Sequence, residues 1–395
     1  MQHTPNANRL HIAIFGRRNV GKSSLINAIT GQDIALVSNI SGTTTDPVYK
    51  AMELLPLGPV VIIDTAGIDD QGEIGTLRVK KTKEVISKTD IALVVFSSEN
   101  TISPMEHEWV HMLKDANIPV LGVINKIDIH DPALEPYQSE FDMSFVKTCT
   151  SDPTSIERLK TELFNHVPFY EKDTILGDLI EPGDLVLLVA PQDIQAPKGR
   201  LILPQVQTLR DILDHKGLAL TVTDDNLEEI LSKIKHQPDL VVTDSQVFEK
   251  VNKILPKSVP LTSFSILMSR YKGDLETFIV GAYAISKLQN HDKVLIAEAC
   301  THHPLQGDIA REKLPRWLKE YTGKEIETVV KAGIDFGDDL SEYQLIIHCG
   351  GCMFNRKHMM SRIIQAKNYK IPITNYGTAI AYMNGILDKV TGMYG

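Results

Sequence analysis

At about 100–200 residues per domain, a chain of 395 residues has room for two to four domains, and its 43% hydrophobic and 23% charged residues exclude disorder as the main state. A formal net charge of −9 argues against a general nucleic-acid binder, which presents a basic face, and apolar runs such as 91–96 and 185–190 are too short to span a membrane. The N-terminal residues hold no long apolar stretch to act as a signal peptide. The expectation is a cytoplasmic chain with no membrane and no nucleic-acid partner.

In chain order, short apolar runs rich in β-branched residues come first, alternating with amphipathic stretches. This is the pattern of a parallel sheet buried on both faces. Strands are predicted over 11–15, 60–63, 91–96 and 120–124, and a helix over 22–29. Gly177, Pro182 and Gly183 punctuate 170–184, which places a boundary there and makes 1–172 the first domain. A second alternation follows, with strands over 185–190, 218–222, 240–243 and 259–264 and helices over 206–213 and 227–234. No helix here opens with a glycine-rich phosphate loop, so 173–268 reads as a small α/β module for packing or self-association. The third part, 269–395, reads as a helix over 277–288, a strand over 293–297, a helix over 309–321 broken near Pro315, and a strand over 342–347 that ends at His348. No internal repeat is evident.

Three motifs define a nucleotide site. The segment 16–23, GRRNVGKS, lies between an expected strand and an expected helix, the context a phosphate-binding loop demands. Gly16 and Gly21 let backbone N–H groups turn inward, and the helix N-terminus adds its positive end. Lys22 reaches the β- and γ-phosphates, the Ser23 hydroxyl holds Mg²⁺, and Ser24 belongs to the nucleotide-binding set. In DTAG, 64–67, Asp64 binds Mg²⁺ through water and the Gly67 N–H senses the γ-phosphate. In NKID, 125–128, Asn125 and Lys126 precede Asp128, whose carboxylate matches guanine N1–H and the 2-amino group. Adenine lacks that paired donor edge, so GTP is selected over ATP. Between the first two motifs, SGTTTD at 41–46 supplies a threonine for Mg²⁺ and the γ-phosphate, Thr44 first and Thr43 next. The catalytic set is Lys22, Thr44, Asp64 and Gly67. The expected fold is α/β throughout, a P-loop GTPase domain followed by two smaller α/β domains with mainly parallel sheets.

The first ~170 residues resemble the GTPases of the Era and tRNA-modification (TrmE-like) group, in which about this length forms one domain. That resemblance implies that Asn19, in the phosphate loop, binds a potassium ion that assists hydrolysis. Ile68, where other GTPases carry a water-positioning glutamine, implies a slow intrinsic rate. Thr45 stands where the group often has arginine. The last guanine-contacting motif is not evident, with Thr148-Cys149 the nearest match, and Cys149 reads as a small core residue.

The remaining cysteines form Cys300-x-His302 and, after a 45-residue spacer, His348-Cys349-x-x-Cys352. Each group sits just past an expected strand, and Gly350 and Gly351 allow a tight turn between the last two thiols. Loops at one end of a sheet converge, so the three cysteines read as one metal site. The donor set fits a tetrahedral Cys₃His zinc or a 4Fe–4S cluster with one non-cysteine corner. His302 and His348 are fourth-ligand candidates or orienting neighbours, with His303 and Glu298 behind them.

Taken together, a TrmE-like GTPase followed by C-x-H and H-C-x-x-C resembles the FeFe-hydrogenase maturation GTPases over the whole chain. The resemblance implies GTPase, dimerisation and cluster-binding domains and a homodimer, with a 4Fe–4S cluster on Cys300, Cys349 and Cys352. It also implies a scaffold that takes a di-iron precursor made with two radical-SAM enzymes and delivers it to apo FeFe-hydrogenase. The alternative is a GTP-dependent RNA or ribosome-assembly factor with a structural zinc, which the acidic charge disfavours.

Overall fold

A computed structural model describes residues 5–31, 47–55, 57–65, 75–99, 101–168, 174–192, 201–299, 308–337 and 339–394. The chain divides into two compact units, Met1–Tyr170 and Glu171–Gly395. Among the described residues no helix is long and apolar enough to cross a membrane.

The first unit is built on six strands: β1 Leu10–Phe15, β2 Val48–Leu54, β3 Gly58–Asp64, β4 Ile91–Ser97, β5 Val120–Asn125 and β6 Ser144–Thr148. Their order is β2-β3-β1-β4-β5-β6, parallel except for β2, which runs antiparallel to β3 on the edge. Side chains alternate across the sheet. Ile12, Ile14, Ile62, Leu93 and Val123 face one core with Leu25 and Leu159, while Ala13, Phe15, Ile63, Val94 and Phe96 face the other with Trp109 and Leu113. Helix starts are chemically marked. The helix Pro104–Asp115 begins with Pro104, and the Glu106 carboxylate in its first turn accepts from the Ser103 N–H; Pro153–His166 begins with Asp152, whose carboxylate accepts from the Thr154 and Ser155 N–H groups.

The second unit holds two four-stranded parallel sheets. Strands β7 Leu185–Val189, β8 Leu218–Val222, β9 Leu240–Thr243 and β10 Leu261–Ser263 lie in the order β10-β9-β7-β8. Strands β11 Lys293–Glu298, β12 Glu327–Ala332, β13 Leu345–His348 and β14 Ile373–Asn375 lie in the order β12-β11-β13-β14. The α/β architecture with mainly parallel sheets is thus as expected.

Each of these two sheets places its first strand between its second and third, with its fourth outermost. The correspondence extends to single bonds. Gly183 and His291 both have positive φ, 98° and 67°, just before Asp184 and Asp292. Those carboxylates accept from Glu181 N and Gln289 N at 2.8 and 2.7 Å. Their carbonyls accept from Leu218 N and Glu327 N at 2.8 and 2.9 Å. Asp239 and Gln344 side chains accept from the first residues of β7 and β11, each at 2.8 Å. Ser263 and Asn375 end the fourth strands and cap the helices Phe264–Lys272 and Tyr376–Met383. The second unit is therefore an internal structural repeat. It escapes a sequence reading because what is preserved is strand order and turn geometry, served, apart from Asp184 and Asp292, by different residues.

One apolar core joins the two sheets, with Leu187, Val189 and Val241 from one and Val294, Ile296, Leu345 and Ile347 from the other, together with Ile266, Ala379 and Ile380. The helix Phe264–Lys272 crosses position 268/269 unbroken. The stretch predicted as a helix over 277–288 is an α-helix, Leu275–Ala282, followed by a 3₁₀ segment, Tyr283–Lys287. The expected break near Pro315 is a change of helix type: a π-turn at Ile309–Lys313 passes into the α-helix Leu314–Thr322, whose first turn tolerates the missing proline N–H.

His11 in β1 is buried, with Nδ1 2.9 Å from the Arg9 carbonyl, and burial pushes its pKa from the ordinary 6.5 down to about 4. The folded ring stays neutral where the unfolded chain takes up a proton. Its contribution is therefore complete above pH 6.5 and is lost as pH falls toward 4, up to about 3 kcal/mol. Urea unfolding followed by Trp109 fluorescence in a Trp317→Phe background should show this acid slope, and His11→Gln should flatten it. An equal slope in the His11→Gln protein would contradict the assignment.

Candidate functional site

The carboxyl ends of β1, β3, β5 and β6 meet at one edge of the first sheet, where strand order reverses around β1. The turn after β1 leads into the helix Lys22–Thr30, and its backbone conformation is demanding. Asn19 has φ 64° and Gly21 φ 93°. A Cβ on Gly21 would lie 2.4 Å from Asn125 Nδ2, and one on Gly16 would lie 2.6 Å from the Val95 carbonyl oxygen. Glycine is required at both positions by close approach. Lys22 is buried, and its ammonium donates to the carbonyls of Gly16 and, at 3.0 Å, Arg17. Ser23 and Ser24 are half-buried in the first helical turn, and the Asn19 side chain is exposed.

Asn125 serves the site through the backbone. Its Nδ2 donates to the Val20 carbonyl at 2.9 Å, and its Oδ1 accepts from Thr148 Oγ1 at 3.2 Å. It thereby ties the phosphate loop to the ends of β5 and β6. Lys126 has φ 63° and pairs with Glu99 at 2.9 Å. Asp128 is exposed, and no hydrogen bond or ion pair engages its carboxylate among the described residues. Asp64 is buried at the end of β3, and the next residue, Thr65, donates to the Ile14 carbonyl at 2.6 Å. Thr43, Thr44 and Gly67 lie outside the described residues. Cys149 is buried as a core residue.

Sequence reasoning missed the anchor of the phosphate loop. Arg17 Nε donates to Glu106 at 2.7 Å, and Arg17 Nη2 donates to the Thr101 carbonyl at 2.7 Å. The Glu106 side chain is fully buried and also accepts from Ser103 N. An i, i+3 capping box hints at Glu106, but nothing local marks its bond to Arg17, 89 positions away.

In the second unit the cysteine loop follows β13. Strands β11 and β13 pair in parallel with Ala297 opposite His348. That register brings Cys349 Sγ within 3.1 Å of Ala299 N, and the Gly351 N–H also points at this sulfur, at 3.4 Å. Gly351 has φ 62°, and a Cβ there would stand 2.2 Å from the Met359 methyl. Cys300 and His302 lie outside the described residues. Among the described residues no three His, Cys, Asp or Glu side chains gather to hold a metal.

Both nitrogens of His348 are engaged. Nδ1 lies 2.8 Å from the Cys349 carbonyl, which only accepts, so Nδ1 carries the proton. Nε2 then accepts from Arg362 Nη1, also at 2.8 Å. Complete burial, and next the Arg362 charge, push the His348 pKa down to about 3. The ring is a neutral strut under the loop. Arg362 is itself buried, lies between the Phe336 and Phe354 rings at 4.7 and 4.5 Å, and donates to the Gly333 carbonyl at 2.6 Å. On the other side Lys272 is buried and donates to the carbonyls of Cys352 at 3.1 Å and Phe354 at 2.9 Å. Burial lowers its pKa to about 8 and raises that of the Cys352 thiol. Glu298, at the end of β11, pairs with Arg311 at 2.8 Å.

The fold and its first site are those of a P-loop GTPase with α/β modules following. Residues 11–126 match the family profile described as 50S ribosome-binding GTPase, residues 175–273 the hydrogen maturase F dimerization domain, and residues 276–393 the hydrogen maturase F tetramerization domain. The chain belongs to the hydrogen maturase F family, and its first unit is a GTPase domain, the kind that binds GTP and Mg²⁺. The names of its two later domains point to self-association.

Among curated relatives, the tRNA modification GTPase MnmE of Endomicrobium trichonymphae is 40% identical over 124 residues, 30% of this chain and 27% of that protein. The enzyme of the same name from Thermoanaerobacter sp. (strain X514) is 33% identical over 161 residues, 40% of this chain and 34% of that protein. The chain thus spans about a quarter to a third of the length of these relatives. An Aquifex aeolicus Era structure bound to GDP.AlF4− is similar at 18% identity with a TM-score of 0.36, covering 62% of this chain and 97% of that one.

The exposed Asp128 carboxylate makes a direct test of base choice. Asp128→Asn should weaken GTP binding by about 10- to 100-fold, the worth of hydrogen bonds to a charged acceptor, and narrow the preference for GTP over ATP. A calorimetric titration in which that preference is unchanged would remove Asp128 from the base site.

Proposed function

We propose that the chain couples a GTPase domain to a 4Fe–4S cluster held by Cys300, Cys349 and Cys352, and acts as a homodimeric scaffold or carrier. Its cargo would be the di-iron precursor of the FeFe-hydrogenase active site, received through two radical-SAM maturation enzymes and delivered to apo-hydrogenase in the cytoplasm. The observation that carries this function is the pair of hydrogen maturase F domains behind the GTPase domain. The donor chemistry of the loop supports it. Cys349 Sγ accepts two backbone N–H groups, one of them from the residue before Cys300, and two buried cations hold the ends of the loop, Lys272 at the Cys352 and Phe354 carbonyls and Arg362 through His348. The two N–H groups suit an anionic sulfur at Cys349.

In the GTPase domain, Lys22 and the loop N–H groups take the charge that develops on the β- and γ-phosphate oxygens. Ser23 and Thr44, or Thr43, would hold Mg²⁺, with Asp64 acting on it through water, and the Gly67 N–H would meet the γ-phosphate; the ion would supply positive charge to the phosphate oxygens. Water attacks the γ-phosphorus, the bond to the β-phosphate oxygen breaks, and GDP and phosphate leave. The exposed Asn19 side chain is offered as a potassium ligand beside the phosphates. In the cluster domain a 4Fe–4S group would supply an iron corner not filled by thiolate, open to exchange. His302 is the candidate neighbour for that corner, and His348, with both nitrogens bonded, fits the orienting role.

Two measurements test these assignments. Anaerobic reconstitution should give brown protein containing iron and sulfide, and Cys300→Ser, Cys349→Ser and Cys352→Ser should each lose most of the cluster, while His302→Ala and His348→Ala keep it with an altered paramagnetic resonance spectrum. Zinc without sulfide in the wild-type chain would overturn the cluster. Separately, GTP hydrolysis should run several-fold faster in potassium than in sodium, and Asn19→Ala should abolish the difference; equal rates in the wild type would remove the potassium site.

A further inference from the structure

Lys272 and Arg362 lie on different helices, Phe264–Lys272 and Arg356–Asn368, 90 positions apart, yet both are buried against the ends of one short loop. Lys272 closes its helix and reaches across to the carbonyls of Cys352 and Phe354. Arg362 supports the other end through His348, whose proton is held by the Cys349 carbonyl. Neither cation forms an ion pair with a carboxylate among the described residues; Asp335 acts on Arg362 only at a distance. Arg362 Nε is buried with no hydrogen-bond partner among the described residues. Glu298 and Asp308 pair with Arg311.

Two buried cations without carboxylates are a costly arrangement unless an anion completes it. The groups between them that become anionic are the thiols of Cys349 and Cys352. A structural lysine that only tied down carbonyls would be served as well by a neutral amide, which is cheaper to bury.

We propose that Lys272 and Arg362 are positioning residues that neutralise the group held by the Cys349–Cys352 loop and thereby raise its reduction potential. The proposal rests on the cluster function above. Adding an electron to a cluster makes it more negative, so fixed positive charge in a water-poor setting favours the reduced form. The same charge holds the thiolates against mutual repulsion and favours retention of the cluster.

The test uses the full chain, reconstituted anaerobically with iron and sulfide, then titrated with dithionite and followed by electron paramagnetic resonance. Lys272→Gln keeps an N–H donor for the two carbonyls and removes the charge, Lys272→Arg keeps the charge, and Arg362→Gln removes the charge at the other end. Iron and sulfide per chain report loading, and the midpoint potential reports charge. The expected result is a potential lower than wild type in both neutral variants, by about 59 mV for a tenfold loss in the one-electron reduction equilibrium, with Lys272→Arg near wild type. Retention of iron by Lys272→Arg but by neither neutral variant also supports the proposal. A wild-type potential in a loaded neutral variant overturns it, and so does equal loss of iron from all three, which would make the two side chains a matter of shape. Wild-type protein that takes up no iron and sulfide instead overturns the cluster function itself, and the proposal with it.

Discussion

The parallel register of β11 with β13 is the constraint on which the second unit's chemistry depends. Placing Ala297 beside His348 makes both strands finish at the same level, so the chain leaves the sheet twice within a few ångströms. The hydrogen bond from Ala299 N to Cys349 Sγ follows from that register. The loop ends are then held from below, by His348 and Arg362 on one side and Lys272 on the other. The first unit obeys the same rule. Its phosphate loop, its Asp64 and its Asn125 all stand at strand carboxyl ends, and Asn125 bonds across them to Val20 and Thr148. In each unit the parallel sheet does the gathering, and a buried side chain with two partners fixes the distance.

What the sequence discloses depends on how residues are buried. Strands covered on both faces, such as β1, β4 and β5, are continuous apolar runs and are legible within a residue or two. β2 is an edge strand with alternating exposure, so VYKAMEL carries no apolar run and passes unread. β12 is likewise an edge strand, while β14 has only three residues. Of the candidate site, the motif residues are legible because phosphate binding demands particular residues at fixed spacing. Arg17–Glu106, Lys272 and Arg362 are not, because their partners are far away in sequence and no local pattern links them. His348 shows the limit in another way. A histidine beside a cysteine is equally consistent with ligand and strut, and nothing local in the sequence shows that its two nitrogens meet Arg362 and the Cys349 carbonyl.

The repeat in the second unit has a consequence for how the chain reaches its fold. Two halves with one strand order offer each other matching places while they are still open, and strand exchange between like modules is a known failure of repeated architectures. The apolar strands themselves discriminate poorly: β9 and β13 are four residues each, Leu-Val-Val-Thr and Leu-Ile-Ile-His. The polar residues at their ends do discriminate. Thr243 sits opposite Val189 and His348 opposite Ala297. Were β9 to take the place of β13 beside β11, Thr243 would stand where His348 belongs, and the Arg362 guanidinium would lose the imidazole nitrogen that accepts its hydrogen bond. A buried donor left without its acceptor costs about 1–3 kcal/mol, so the exchanged pairing would be penalised at its polar end even though its apolar residues fit.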